Sequence, residues 1–398
     1  MRIGLVTPSW PGGRSANGIT TAVSHLAGGL RQIGHHVTII PLEEADEADP
    51  AVLNLPAPRQ WTLLEKLSMR SGRDVASIPI LSEQLTQAVL KAIRIRGIEV
   101  VIMEETNGFA GIVQKNVEIP VIVSLHGPHA ILAPINFNVT EPKIRDERLR
   151  VKREAAAFLG CAGVTAPSKD VLDRMIALYG LPDCPLSVIP NSMPAPPPLT
   201  AQAIRSQIRK LLFIGRYDLI KGGDTVIKAF ERIAQEEPEA QLTFIGPDSG
   251  VALPDGTMQY IDATLATLPA GIRARIHYRG QLDKAACEAL RYSHGVAVVA
   301  SRYETFGYTA LEAIAFGMPT VVTAAGALSD VVRDKETAIL VPADDPDSMA
   351  YACIQLIQEP DLAIGLASKA HVDASTRFSP AKIAKDIEGF ILSVKEQF

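Results

Sequence analysis

Aromatic side chains make up only 5% of this 398-residue chain, too few for a stacking platform that holds single-stranded nucleic acid. A strong charge of either sign is missing too. The net charge is −5, and basic and acidic side chains balance over the first 195 residues, so the acidic excess falls in the second half. Neither half carries the basic footprint of a nucleic-acid binder. The four cysteines, Cys161, Cys184, Cys287 and Cys353, are scattered, with no C-x-x-C pair and no zinc-finger spacing to histidine. The expectation is reduced, mostly buried thiols in a cytoplasmic protein. No apolar run nears the ~18 residues that span a bilayer, and the chain opens on a strand rather than a signal peptide. The loop after that strand lacks G-x-G-x-x-G spacing, which speaks against a nicotinamide dinucleotide fingerprint.

What is present points to two α/β domains. The length exceeds one ordinary core, and 47% apolar with 21% charged residues suits a globular protein. Strand patterns over 2–7 and 37–40 flank a helical stripe at Val23, Leu26, Ala27 and Leu30, a β-loop-α-β unit with a right-handed crossover. Further strands read at 99–103 and 120–125. Residues 43–58 read as an irregular surface loop. A proline-dense stretch, Pro190 to Pro198, marks a linker. Strand patterns then follow at 210–214, 241–245, 275–278, 296–300, 320–323 and 338–341. Domains are expected at 1–192 and 209–378, joined by a linker at 193–208. A last helix over 379–398 has Ser379 as N-cap and Pro380 at its first position.

The densest signal is Ser301 to Pro319. An apolar run over 296–300 reads as a buried parallel strand. A loop with one glycine follows. Thr309-Ala310-Leu311-Glu312 has the capping-box pattern that opens a helix, and Gly317 and Pro319 close it. A strand, a glycine loop and a helix start together bind anionic groups through open backbone N–H groups. Glu304 is expected on the loop and Glu312 in the first helical turn, one carboxylate on each side of the bound group. A diphosphate with hydroxyls on both sides suits that layout, and a nucleotide sugar is such a molecule. Glu312 alone is equally well explained as the capping partner of Thr309. Earlier, Gly215-Arg216 and Lys221-Gly222-Gly223 follow a strand end. Two cations with glycines beside them suit a diphosphate. His126 ends another strand, where open α/β sheets place ligands. His129 is a weaker candidate, and His35 and His36 read as structural. Asp344, Asp345 and Asp347 read as a helix-start signal rather than a metal site. The basic stretch 142–153 reads as a solvated helix face, with an anionic lipid surface as the alternative.

Ser301, Glu304, Phe306-Gly307, Leu311-Glu312-Ala313 and Gly317-Met318-Pro319 resemble the donor-site signature of retaining family 4 glycosyltransferases of the GT-B fold. Gly215-Arg216 with Lys221-Gly222 resembles that family's Gly-Arg…Lys-Gly element. His126-Gly127 resembles its donor-side histidine, and Gly163 to Ser168 its last N-domain strand and Ser-led helix. Asn17-Gly18-Ile19 resembles its Gly-Gly-Ile/Val turn, with Asn in the first place. Other departures are Ser192 and Pro194 after Pro190-Asn191, Ala325 before Gly326, and Asp330 where a glutamate is usual.

The resemblance implies two Rossmann-like, doubly wound parallel-sheet domains facing across a cleft that closes on the donor. It implies transfer of a sugar from a UDP- or GDP-sugar to an acceptor hydroxyl with retention of anomeric configuration. Glu304 and His126 would act at the donor sugar, and Glu312 at the ribose. Phe306, Gly307, Tyr308 and Thr309 would offer backbone N–H groups. Arg216, Lys221 and Gly18 would meet the diphosphate, and Gln281 and Leu282 the base. Acceptors would be glycans or lipid-linked molecules, with peripheral contact to the inner membrane face as an option. No permanently bound cofactor and no metal are expected. Alternatives are a non-catalytic nucleotide-sugar-binding protein and a phosphorylase-like GT-B enzyme.

Overall fold

The computed structural model describes the chain except residues 12–17, 44, 46–48, 71–76, 136–140 and 254. The chain divides into two compact units. One comprises Met1–Pro134, Val139–Ser192 and Pro380–Phe398, the other Met193–Ser379 with a short segment at 135–138.

The first unit is built on β1 (Arg2–Thr7), β2 (His36–Pro41), β3 (Val100–Glu104), β4 (Val121–Ser124), β5 (Gly163–Ala166) and β6 (Leu186–Val188). They pair in the order β2-β1-β3-β4-β5-β6, and each pairing is parallel. β3 and β5 are buried at every residue, as in a sheet covered on both faces. Gly163 to Ser168 is therefore not the unit's final strand and helix, because β6 adds an edge beyond β5. Ser168 does cap the helix Lys169–Tyr179, accepting from the Val171 N–H.

One face of this sheet is covered by the helices Gly18–Gln32 and Pro380–Gln397. Ile3, Leu5, Val23, Ala27, Leu30, Ile102 and Ile122 pack with Ile383, Ile387, Phe390 and Ile391. The chain's last helix thus belongs to the core of its first unit. On the helix Glu141–Gly160, Arg148 and Lys152 are exposed. Arg150 pairs with buried Glu154, and the Arg153 guanidinium donates to the Asn107 carbonyl. The side chains of Lys143 and Arg145 lie outside the described residues.

The second unit adds β7 (Lys210–Ile214), β8 (Tyr217–Asp218), β9 (Gln241–Ile245), β10 (Asp248–Ala252), β11 (Met258–Gln259), β12 (Ile276–Tyr278), β13 (Val296–Val299), β14 (Thr320–Thr323) and β15 (Ile339–Val341). Its main sheet runs β12-β9-β7-β13-β14-β15, all parallel. Phe213, Phe230 and Phe244 fill one side, with Val296 and Val298 behind them. β11-β10-β8 form a second small sheet. Its strands are too short and polar to show a period in sequence.

Both units are doubly wound α/β folds. Asp345 caps the helix Pro346–Gln358, accepting from the Ser348 N–H, with Pro346 at the first turn. The acidic cluster there is a helix start. His35 contacts the N-terminal amine and Glu388, and so ties the first strand to the last helix.

Candidate active site

In the second unit the chain leaves β7 toward β9 and β12, then returns to β13 and continues to β14 and β15. The strand order reverses between β7 and β13. Open α/β sheets bind ligands in the crevice outside the carboxyl ends of such a pair. The loop after β7 carries Arg216 and Lys221, and the loop after β13 carries Ser301 and Glu304. Two motifs some eighty residues apart in sequence therefore share one end of the sheet.

They are in direct contact. Lys221 Nζ lies 2.5 Å from Glu304 Oε1, and the Ser301 hydroxyl donates to the same oxygen at 2.8 Å. Asp218 organises the first loop, accepting from the Lys221 N–H at 2.7 Å and the Arg216 Nε at 2.6 Å. Arg302 joins the loops. Its guanidinium donates bidentately to Asp224 and to the Leu219 carbonyl, and its N–H donates to the Ile220 carbonyl. A Cβ at Gly222 would stand 2.1 Å from the Ala300 carbonyl oxygen, so only glycine lets the loops approach this closely.

The helix Tyr308–Ala315 starts differently from the capping-box expectation. Gly307, at φ 95°, is its N-cap, and no side chain caps it. Thr309 lies inside the helix rather than before it. Glu312 is the fifth helical residue, beyond the first turn, and its carboxylate pairs with Arg291. A buried guanidinium out-competes a backbone N–H for a carboxylate because the bond is charge-assisted. Glu312 therefore does not cap the helix start, whose positive end favours an anion. Phe306 is buried against Tyr308 and Phe378 and holds the loop in place.

Gln281 is exposed and Leu282 half-buried just after β12, beyond Gly280 at φ 63°. Arg216, Lys221, Gln281, Leu282, Glu304, Phe306, Gly307, Tyr308, Thr309 and Glu312 all belong to the second unit. Gly18 and His126 belong to the first. Gly18 opens the helix Gly18–Gln32 and is exposed, with open space where a Cβ would stand. Asn17 lies outside the described residues.

His126 follows β4 in a turn held by a second acidic group. Glu105 accepts from the His126 N–H at 2.9 Å and the Gly127 N–H at 2.7 Å. The His126 side chain keeps some exposed surface, yet enough protein surrounds it that burial pushes its pKa down to about 4. The imidazole is neutral near pH 7. Burial and the charge of Glu105 push Glu104 up to about 8, and burial pushes Glu105 up to about 7.

Asp218, Arg291, Arg302 and the pair Glu104-Glu105 were not among the residues singled out from sequence. Two acids ending the apolar run Val100-Val101-Ile102-Met103 were the legible sign of the pair. Arg291 carries no such sign, because a lone arginine on an amphipathic helix reads as surface. Among the described residues, no group of three or more His, Cys, Asp or Glu is placed to hold a metal ion, and no helix is long and apolar enough to cross a membrane.

The glycosyl transferases group 1 model matches residues 208–359 and the glycosyltransferase family 4 model residues 16–195. The chain belongs to this family of GT-B-fold glycosyltransferases. A D-inositol 3-phosphate glycosyltransferase from Xylanimonas cellulosilytica is 26% identical over 92% of this chain and 89% of its own length. The chain spans about half the length of other curated relatives, 44% of one and 55% of another. Sucrose-phosphate synthase from Thermosynechococcus elongatus shares the fold at TM-score 0.73, with 20% identity and full coverage of both chains. Anabaena HepE, solved with UDP-glucose, does so at TM-score 0.70 and 19% identity, covering 99% of this chain and 100% of its own.

Proposed function

We propose that this protein transfers a sugar from a nucleoside diphosphate sugar to an acceptor hydroxyl with retention of anomeric configuration. The observation that carries the reading is the Lys221–Glu304–Ser301 cluster at the strand-order reversal, beside a helix start with no side-chain cap. A diphosphate placed there meets Lys221, Arg216 and the positive helix end. Donor arrival moves Lys221 from Glu304 to a phosphate oxygen. Glu304 is then released to accept hydrogen bonds from sugar hydroxyls, while Glu312, held by Arg291, receives the ribose hydroxyls. Gln281 and Leu282 border the base. Gly18 and His126, in the first unit, are assigned to the donor by the family resemblance alone.

In the reaction, the bond from the anomeric carbon to the diphosphate oxygen breaks and a bond to the acceptor oxygen forms on the same face. The acceptor proton passes to the departing diphosphate. The step is read as the front-face displacement that the family resemblance implies, in which the departing diphosphate assists deprotonation of the acceptor, rather than the double displacement of retaining glycosidases. Lys221, Arg216 and the helix end stabilise the departing charge, which makes the reaction metal-independent. The similarity to HepE, solved with UDP-glucose, supports a nucleotide sugar as donor.

The test is Glu304→Ala assayed with UDP- and GDP-sugars. The reading expects transfer to fall by at least ~100-fold while UDP or GDP still binds. Unchanged turnover overturns the assignment.

A further inference from the structure

The strand register of the first unit sets three polar side chains in one row. Glu104 pairs with Ser124 across β3 and β4, and Ser124 with Thr165 across β4 and β5. One step back, the row is apolar, Leu5 with Ile102 and Ile102 with Ile122. The polar row therefore lies at the carboxyl ends of the strands, above the core. It lines a cavity shared with His126 and Asn191 and floored by Ile383 and Ile387. About 30 Å³ of it is open to the centre of a water molecule, more than the ~10–15 Å³ that one water needs.

This cavity holds an unmet hydrogen-bonding demand. Thr165 is 2% exposed, and its hydroxyl has no partner. Glu104, 5% exposed, has the Thr106 hydroxyl as a donor at 3.2 Å. Buried polar groups left in this state are costly unless a ligand or water completes them.

On the side of the loops after β3 and β4, backbone N–H groups that could cradle a phosphate are already spent on carboxylates. His126 and Gly127 donate to Glu105, and His129 and Asn107 donate to Glu154. Arg150 is paired with Glu154 as well. No lysine or arginine is among the described residues that line the cavity.

We propose that the Glu104–Ser124–Thr165 row is a binding site for an uncharged hydroxyl of the acceptor, and that it selects unphosphorylated polyols and sugars over their phosphate esters. The proposal deepens the transferase reading and rests on it for the role of the site. Thr165 and Glu104 bracket the incoming hydroxyl, each able to give or take a hydrogen bond, with the neutral imidazole of His126 nearby. A phosphate dianion brought to the same place finds no lysine or arginine among the described residues that line the cavity, and it lies beside the Glu104 carboxyl. The room suits one or two hydroxyl groups, and the rest of the acceptor stays outside. The pKa of Glu104 agrees, since a carboxyl titrating at about 8 keeps its proton at neutral pH and can donate.

The experiment measures binding to the full chain by saturation-transfer NMR and calorimetry. The panel pairs methyl glucoside with glucose 6-phosphate, methyl mannoside with mannose 6-phosphate, and myo-inositol with inositol 3-phosphate. At least one neutral member is expected to bind with its phosphate ester at least about tenfold weaker. Thr165→Val, which keeps shape and loses the hydroxyl, is expected to weaken that binding at least about fivefold, and Thr165→Ser to retain it. A phosphate ester that binds as well as its neutral partner overturns the proposal. So does unchanged affinity in Thr165→Val, or a site that holds water and no neutral panel member. UDP and GDP titrations on the same sample report separately on the second unit. Failure there strikes the transferase reading and leaves the sugar comparison readable.

Discussion

Glu304 and Glu312 look alike in sequence but have different partners. Glu304 is held by Lys221 and a hydroxyl, in a pair that a phosphate can exchange. Glu312 is held by Arg291, whose side chain is nearly inaccessible, and leaving that cation buried and unpaired is expensive. Replacing Glu312 should therefore lower stability as well as donor affinity, whereas Glu304→Ala should lower transfer with little loss of stability. Melting temperatures of the two variants check this: Glu312→Ala is expected to fall by several degrees more. Equal melting temperatures would contradict the difference. Glu104 provides a pH signature. Its carboxyl titrates near 4.5 when free and at about 8 in the fold, so between those values the folded chain holds more protons than the unfolded one. Stability contributed by this group is full below pH 4.5 and is lost as pH rises through 8. Glu104→Gln is thus expected to raise the melting temperature more at pH 8 than at pH 5, by roughly 3 °C. The same gain at both values would mean the carboxyl is not desolvated.

At the scale of the element, the loops after β7 and β13 depend on glycines with little tolerance for change. Gly326, at φ 56°, lies where a Cβ would stand 2.3 Å from the Glu304 carbonyl oxygen, and that oxygen accepts from the Ala327 N–H. Gly326→Ala is expected to cost at least ~1–2 kcal/mol from the left-handed backbone alone, and to displace Glu304. A urea midpoint lowered together with transfer would bear this out, and an unchanged midpoint would contradict it. The parallel strands were legible because strands buried on both faces read as apolar runs, and 296–299 is the clearest case. The helix start at Tyr308 departs from the capping-box expectation. Thr309 and Glu312 have capping-box spacing, but Arg291, 21 residues earlier on another helix, takes Glu312, so a local rule lost to a tertiary ion pair. The row Glu104–Ser124–Thr165 was illegible for a related reason. It exists only in strand register across three separate segments.

At the scale of the whole molecule, two doubly wound units carry different chemistry. The second presents cations and a helix N-terminus where its strand order reverses. The first presents neutral and acidic groups at the carboxyl ends of its strands. The order of apolar runs already implied the doubly wound class, and the 301–319 stretch already implied the family. Which residues pair with the site carboxylates required the fold. The central claim is that the Arg216–Lys221–Glu304 crevice holds a nucleoside diphosphate without a metal. A thermal-shift titration with UDP, GDP, ADP and NAD, each with and without EDTA, tests it most directly. A ligand at 100 times its dissociation constant stabilises by ~2.7 kcal/mol. One nucleoside diphosphate is expected to stand out and to keep its shift in EDTA. A response to NAD alone, no response to any diphosphate, or a shift abolished by EDTA would contradict the claim.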